Sequence, residues 1–269
     1  MRRPGAALRK REWGERKDSL ISFLRVQSVT AVYIKRNYRI NASGKLSGYD
    51  IKEEESDLRV MTRGVFIHPA EQQLSRVRAL IKRDLQKYPE IAESLLPVNE
   101  PPGVSGPVSR MITASRSAGV GPMAAVAGVV AEEVGKFLLE YSPEVIVENG
   151  GDIYIRSENE ITVAVFAGSS PLSMKFGIRV KAPDGAGVCT SSATVGHSFS
   201  GGASDAVVCA GDTPPLADAV ATSAANRIHS KDDIASVLEK TVKINGIHGA
   251  LAIVKESLGA CGNIEIVEL

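Results

Sequence analysis

Two runs of small residues constrain the fold of this chain more than any other feature. In the first, Ala124, Ala125, Ala127 and Gly128 are interleaved with Met123, Val126, Val130, Val134 and Phe137. In the second, between Leu216 and Ile228, Ala217, Ala219, Ala221, Ala224 and Ala225 recur. Apolar residues three and four apart draw one face of a helix. Helices built this way are slim, so another backbone can pack close against them. β-type segments flank both: residues 144–148, 152–156, 161–166 and 176–181 lie between the runs, and 206–209 leads into the second. Two slim helices, each beside strands, suggest an internal pseudo-repeat, although no repeat of about 20–50 residues is visible in the sequence itself.

The rest of the chain fits the same plan. Val32 and Ile34 alternate, Tyr49–Ile51 follows a Gly-Lys-Leu-Ser-Gly turn, and Leu58 to Phe66 is again β-like. A meander of three or four antiparallel strands is expected over 18–67. Pro69 is expected to open a helix whose apolar face is Leu74, Val77, Ile81 and Leu85, and Pro89 a short one with Ile91 and Leu95. Residues 97–107 hold four prolines and two glycines and read as a linker. An amphipathic helix over 232–242 follows the second slim helix, and Gly249–Val254 with Ile264–Val267 is expected to close the chain as a hairpin. Strands, then helices, then strands indicate an α+β fold with mostly antiparallel sheets and packed helices. The expected organisation is a basic, mobile extension over 1–28 and a single domain over 29–269, with two lobes divided near 97–107.

Composition narrows the function. The net charge is +1 and aromatics make up 5%, so neither a nucleic-acid-steering field nor a stacking platform is supplied. Residues 1–17 carry seven Arg and Lys against Glu12 and Glu15, a small nucleic-acid or lipid patch or simply a solvated terminus. No run of ~18 apolar residues spans a bilayer, and no apolar segment follows the basic start to make a secretory signal. Cys189, Cys209 and Cys261 are far apart, odd in number and without CxxC spacing, which argues against a disulfide framework or structural zinc. The expected setting is the cytoplasm, with no membrane partner and nucleic acid disfavoured. Slim helices that pack on each other are also compatible with a homodimer.

Four glycine- and polar-rich segments interrupt the apolar pattern. Gly119-Val120-Gly121-Pro122-Met123 leads into a helix start, where free N–H groups suit a phosphate; the same glycines also permit close packing. Glu148-Asn149-Gly150-Gly151-Asp152 lets backbone approach a ligand and supplies carboxylates and an amide for a ribose, an amine or a metal; it is equally a tight hairpin. From Cys189 to Gly202, hydroxyls including Thr190, Ser191 and Ser192, the imidazole of His197, and Gly201 and Gly202 crowd together. Hydroxyls and amides in such a loop hold phosphate oxygens, and His197 can move a proton near neutral pH. In Ala217-Asp218-Ala219-Val220-Ala221-Thr222, Asp218 and Thr222 lie one helical turn apart and can put two oxygens on one Mg²⁺; alternatively Asp218 complements the helix dipole.

Taken together and in this order, the segments resemble the ApbE-like superfamily, relatives of the FAD:protein FMN transferases. Glu148–Tyr154 is similar to the family's Asp-Leu-Gly-Gly-Asn segment, Thr190-Ser191-Ser192 to its Thr-Ser-Gly, and Ala217–Thr222 to its Ala-Asp-Ala-x-Ala-Thr. The resemblance runs over roughly residues 115–228. It implies an ApbE-like, T-fold-like architecture, with Mg²⁺ on Asp218 and Thr222 and FAD or FMN lined by the glycine-rich segments. Cofactor contacts then fall to Gly119, Gly121, Asn149, Gly150, Gly151, Asp152, Ser192, Gly201 and Gly202, and catalytic roles to Thr190, Ser191 and His197. The family's His-Ile-Ile-Asp-Pro stretch is His197-Ser198-Phe199-Ser200-Gly201 here, and Ser192 replaces a glycine. These departures resemble a soluble branch, some of whose members are associated with sulfur assimilation and homocysteine formation. Two functions are therefore expected in competition: a Mg²⁺-dependent flavin or nucleotide transferase acting on a protein partner, and a non-catalytic protein binding a nucleotide or other small anionic ligand.

Overall fold

The computed structural model describes residues 46–193 and 202–269, all within the unit Tyr38–Leu269. The basic extension, the strands expected around Val32 and Ile34, and the stretch holding His197 and Gly201 lie outside the described residues. A hairpin comes first, β1 (Ser47–Glu53) with β2 (Ser56–Thr62). Helix α1 (Ile67–Lys87) begins two residues before Pro69, still within the turn where a missing N–H is harmless. It buries Leu74, Val77 and Ile81, the stripe its spacing predicts. The next helix, α2 (Glu90–Glu93), is a single turn that buries Ile91 and leaves Leu95 82% exposed.

The expected linker ends inside a helix that its glycines and prolines hide. Helix α3 (Gly106–Ala118) starts with Pro107 in its first turn and buries Val108, Met111, Ile112 and Ser115, an i, i+3, i+4, i+7 pattern. A 3₁₀ turn (Pro122–Ala125) connects it to α4 (Val126–Leu138), the first slim helix. Then come β3 (Val145–Asn149), β4 (Asp152–Ala164), β5 (Phe176–Ser191), β6 (Ala206–Gly211), the second slim helix α5 (Pro214–Ala225), α6 (Ile234–Thr241), β7 (Ile247–Val254), β8 (Ser257–Gly262) and β9 (Glu265–Glu268).

All nine described strands form one antiparallel sheet in the order β1 to β8, with β9 added against the first half of β5. Because β2 pairs with β3, the segments before and after 97–107 share that sheet. Two expectations need correction. The segments at 152–156 and 161–166 are one strand, β4, whose pairing with β5 shifts register between Ile155 and Ser157 and again before Glu160. The closing hairpin is β7 with β8, whereas Ile264–Val267 contributes to β9 and pairs with β5. Strand β8 has the sequence SLGACG, too poor in β-branched residues to be read as a strand.

The sheet is buried on both faces. Val145, Val147, Tyr154, Cys189, Val207, Cys209, Ala250 and Ala252 pack with the helices. Their neighbours Ile146, Ile153, Ile155, Val188, Val208, Leu251 and Ile253 form a second core with Ile161, Val163 and Ile178 from the far halves of β4 and β5. A register shift bends a strand, and here it lets the far halves contribute to that second core. Among the described residues no single helix is long and apolar enough to cross a membrane.

Candidate active site

The site is built where the β3–β4 hairpin, the end of β5 and the slim helices meet. Asn149 and Asp152 close the hairpin, and Gly150 and Gly151 form its two-residue turn with φ of 71° and 112°. Two consecutive positive φ angles are what such a turn demands, and glycine supplies them without strain. The turn is tied to β5 by the Thr190 N–H, which donates to Gly151 O at 3.2 Å. Strand alternation then sorts the side chains. Asn149, Asp152, Cys189 and Ser191 share the helix-bearing face, while Glu148 and Thr190 share the opposite one. The two hydroxyls expected to act together, Thr190 and Ser191, are thus on different faces.

Helix α5 lies across β5 and β6 on the first face and against α4. Its Asp218 is 8% exposed, and its Oδ2 accepts the Gly128 N–H of α4 at 2.9 Å. Gly128 allows this approach, since a Cβ there would sit 2.6 Å from Pro214 O. Asn149 Nδ2 donates to Ala127 O at 3.2 Å, joining the hairpin to the same turn of α4. Cys189, opposite Asp152 on β5, places its Sγ 3.3 Å from Pro214 O at the start of α5. One seam therefore carries Asn149, Asp152, Cys189 and Asp218.

Its electrostatics are unusual. Burial pushes the Asp152 carboxyl up to about 7, and the Glu148 charge adds to this, against hydrogen bonds from Cys189 and Thr190. Burial, then the charge on Asp152, raises Asp218 well above the carboxylate range despite the Gly128 N–H. Burial likewise raises Cys189, with the two aspartates adding to the effect, so it stays a thiol. Asp152 Oδ1 is buried with no hydrogen-bond partner among the described residues.

The remaining expected residues are dispersed. Gly119 is the left-handed C-cap of α3, and a Cβ on Gly121 would lie 1.8 Å from Ser94 O, so both glycines have local structural reasons. Gly202 packs against the C-terminal end of α5, where a Cβ would meet Ala225 O at 2.0 Å. The Ser192 Oγ donates to Ser204 O at 3.5 Å. Thr222 is half-buried one turn beyond Asp218. An open cleft of about 770 Å³ lies beyond the start of β6, with Asp205, His229, Lys231 and Lys255 in its walls; neither Asp152 nor Asp218 lines it. Sequence reasoning missed the backbone members of the seam, Gly128 N and Pro214 O. Their signals were a glycine inside a helix and the Pro214-Pro215 helix start.

The family model described as AbpE bacteria matches residues 40–260. The chain belongs to that family. Among curated relatives it is similar to a UPF0280 protein of Methanococcus aeolicus, 41% identical over 205 residues, covering 74% of this chain and 83% of the relative. A UPF0280 protein of Methanocaldococcus jannaschii is 37% identical over 220 residues, covering 80% and 89%. Among solved structures, a point mutant of the flavin transferase ApbE from Vibrio cholerae superimposes with a TM-score of 0.53 at 12% identity, over 81% of this chain and 97% of that one. At that identity the likeness establishes the ApbE-like fold of this family member, and no more.

The donor set of the seam suits a hard cation. Among the described residues no three His, Cys, Asp or Glu side chains gather as a metal cage. Mg²⁺ needs no such cage: it is commonly held by one or two carboxylates, the remaining positions going to water and substrate phosphates. Asp218, with the Thr222 hydroxyl one turn on, fits that pattern, and a bound cation would offset the burial that raises its carboxyl.

Proposed function

We propose that the chain binds a flavin nucleotide, FAD or FMN, together with Mg²⁺ at this seam, and that it transfers the FMN moiety of FAD to a hydroxyl acceptor on a partner protein. The observation carrying this reading is the pair of buried carboxylates, Asp152 and Asp218, brought to one seam by a two-glycine hairpin and a slim helix. The fold shared with a protein titled flavin transferase supports it. Asp218 and Thr222 would hold the cation, which when bound supplies neutralisation of the diphosphate and polarisation of the phosphorus. Gly150 and Gly151 leave the hairpin backbone open to close approach. Ser191, on the same face as Asp152, orients phosphate oxygens, and Ser192 follows it directly at the end of β5. The acceptor hydroxyl attacks the FMN phosphorus, the bond to the AMP oxygen breaks, AMP leaves with that electron pair, and the hydroxyl proton passes to a base. His197, outside the described residues, is the base that the sequence resemblance implies.

Calorimetry of FAD, FMN and ATP with and without Mg²⁺ tests the reading. Mg²⁺-dependent FAD binding that Asp218→Asn removes, followed by chromatographic detection of AMP, is expected. Absence of binding by every flavin nucleotide would overturn it. Binding without AMP release would leave a ligand-binding protein and sink the transfer.

A further inference from the structure

Asp152 is the first residue of β4, and strand alternation aims it at the helix-bearing face, toward α5 rather than solvent. It is 8% exposed. Its Oδ1 has no hydrogen-bond partner among the described residues, and no Lys, Arg or His among them forms an ion pair with either Asp152 or Asp218. A buried carboxylate oxygen left in this condition is costly unless a proton or a cation completes it. Cys189 bridges the gap in the chain path: from β5 it pairs with Asp152 on β4, and its Sγ touches the first carbonyl of the helix that carries Asp218. In the motif this hairpin resembles, the corresponding residue is asparagine, an uncharged oxygen donor. Here it is a second charge.

We propose that Asp152 is a protein ligand of the divalent cation alongside Asp218, so that the chain takes up Mg²⁺ or Mn²⁺ before any nucleotide arrives. This rests on the cation role assigned to Asp218. Two anionic oxygens hold a hard dication more tightly than one, because each added charge contributes at short range in a dry site. A site with one carboxylate leans more heavily on substrate phosphates than a site with two, which holds the ion more tightly before they arrive. The order of loading is therefore the distinguishing consequence.

Mn²⁺ titration of the nucleotide-free protein, followed by electron paramagnetic resonance, reads this directly. One tightly bound Mn²⁺ is expected in the wild type, at least about tenfold weaker binding in Asp152→Asn, and none in Asp218→Asn. In EDTA, Asp152→Asn is expected to melt at or above the wild type, since it removes a buried carboxyl whose Oδ1 has no hydrogen-bond partner among the described residues, and to lose the upward shift that Mn²⁺ gives the wild type. Wild-type Mn²⁺ affinity in Asp152→Asn, with binding lost in Asp218→Asn, would overturn the proposal and leave the Asp218 assignment standing. Unchanged binding in both variants would sink the assignment itself. Should Asp152→Asn not fold, the wild type carries the test alone: no Mn²⁺ bound without nucleotide overturns the proposal.

Discussion

Glu144 shows how a single buried charge can hold an irregular strand. It precedes β3 and its side chain is 5% exposed. Its Oε1 accepts from Ser157 Oγ at 3.0 Å and Asn159 Nδ2 at 2.7 Å, the two residues where β4 leaves register, and Arg63 Nε reaches Oε2 at 2.8 Å. Burial alone would raise this carboxyl; the bonds from Arg63, Ser157 and Asn159 outweigh it and hold the group below its ordinary 4.5. A carboxyl with a lowered folded pKa binds fewer protons than the unfolded chain, so its stabilisation is complete above the ordinary value and is lost as pH falls through the folded one. Glu144→Gln is therefore expected to cost about 1.5–3 kcal/mol at neutral pH, the range for hydrogen bonds to charged groups. The gap to wild type should close as pH drops below 4.5. Urea melts across that range check it, and a gap independent of pH would refute the charge argument.

At the scale of elements, the slim helices matter for what they let near. Gly128 and Gly135 lie two turns apart on α4. A Cβ on the first would meet Pro214 O at 2.6 Å, and on the second the Tyr154 ring at 2.1 Å. In an exposed helix Gly→Ala gains about 1 kcal/mol. At Gly128 the neighbour is backbone, which cannot swing aside, so Gly128→Ala is expected to destabilise by about 1–3 kcal/mol and to weaken cation binding by displacing the N–H on Asp218. A stabilised variant in thermal melts would show that α4 and α5 are not held this closely. These helices were legible because periodicity and small residues coincide in them. Helix α3 was not, since Gly103 before it and Gly106 and Pro107 in its first turn announce a break while only Val108, Met111 and Ile112 carry its apolar pattern. The site was half legible in the same way. Asp218 and the Asn149–Asp152 turn stand out as residue types in a pattern, but their meeting depends on where α5 lands on the sheet. The separation of Thr190 from Ser191 depends on β5 running on to Ser191, whereas the hydroxyl-rich composition there resembles a loop.

For the whole molecule, the decisive fact is that one sheet serves two cores. Leu238 packs among the helices and Leu251 on the opposite face, both with no more than 1% exposure. Every strand from β2 to β7 sends residues into both sides, so neither core can persist once the strands separate. The described unit should then unfold as one cooperative step even though its hydrophobic clusters do not merge. Leu238→Ala and Leu251→Ala are each expected to cost about 2–5 kcal/mol, the range for a buried leucine. Both should shift the same transition, with far-ultraviolet dichroism and near-ultraviolet tyrosine signals moving together. Two transitions, one sensitive to each substitution, would mean that the far halves of β4 and β5, with β9, fold and melt as a layer of their own. In that case the register shift in β4 would be a hinge between two stabilities, and the seam holding Asp152 and Asp218 would belong to the helix-bearing layer alone.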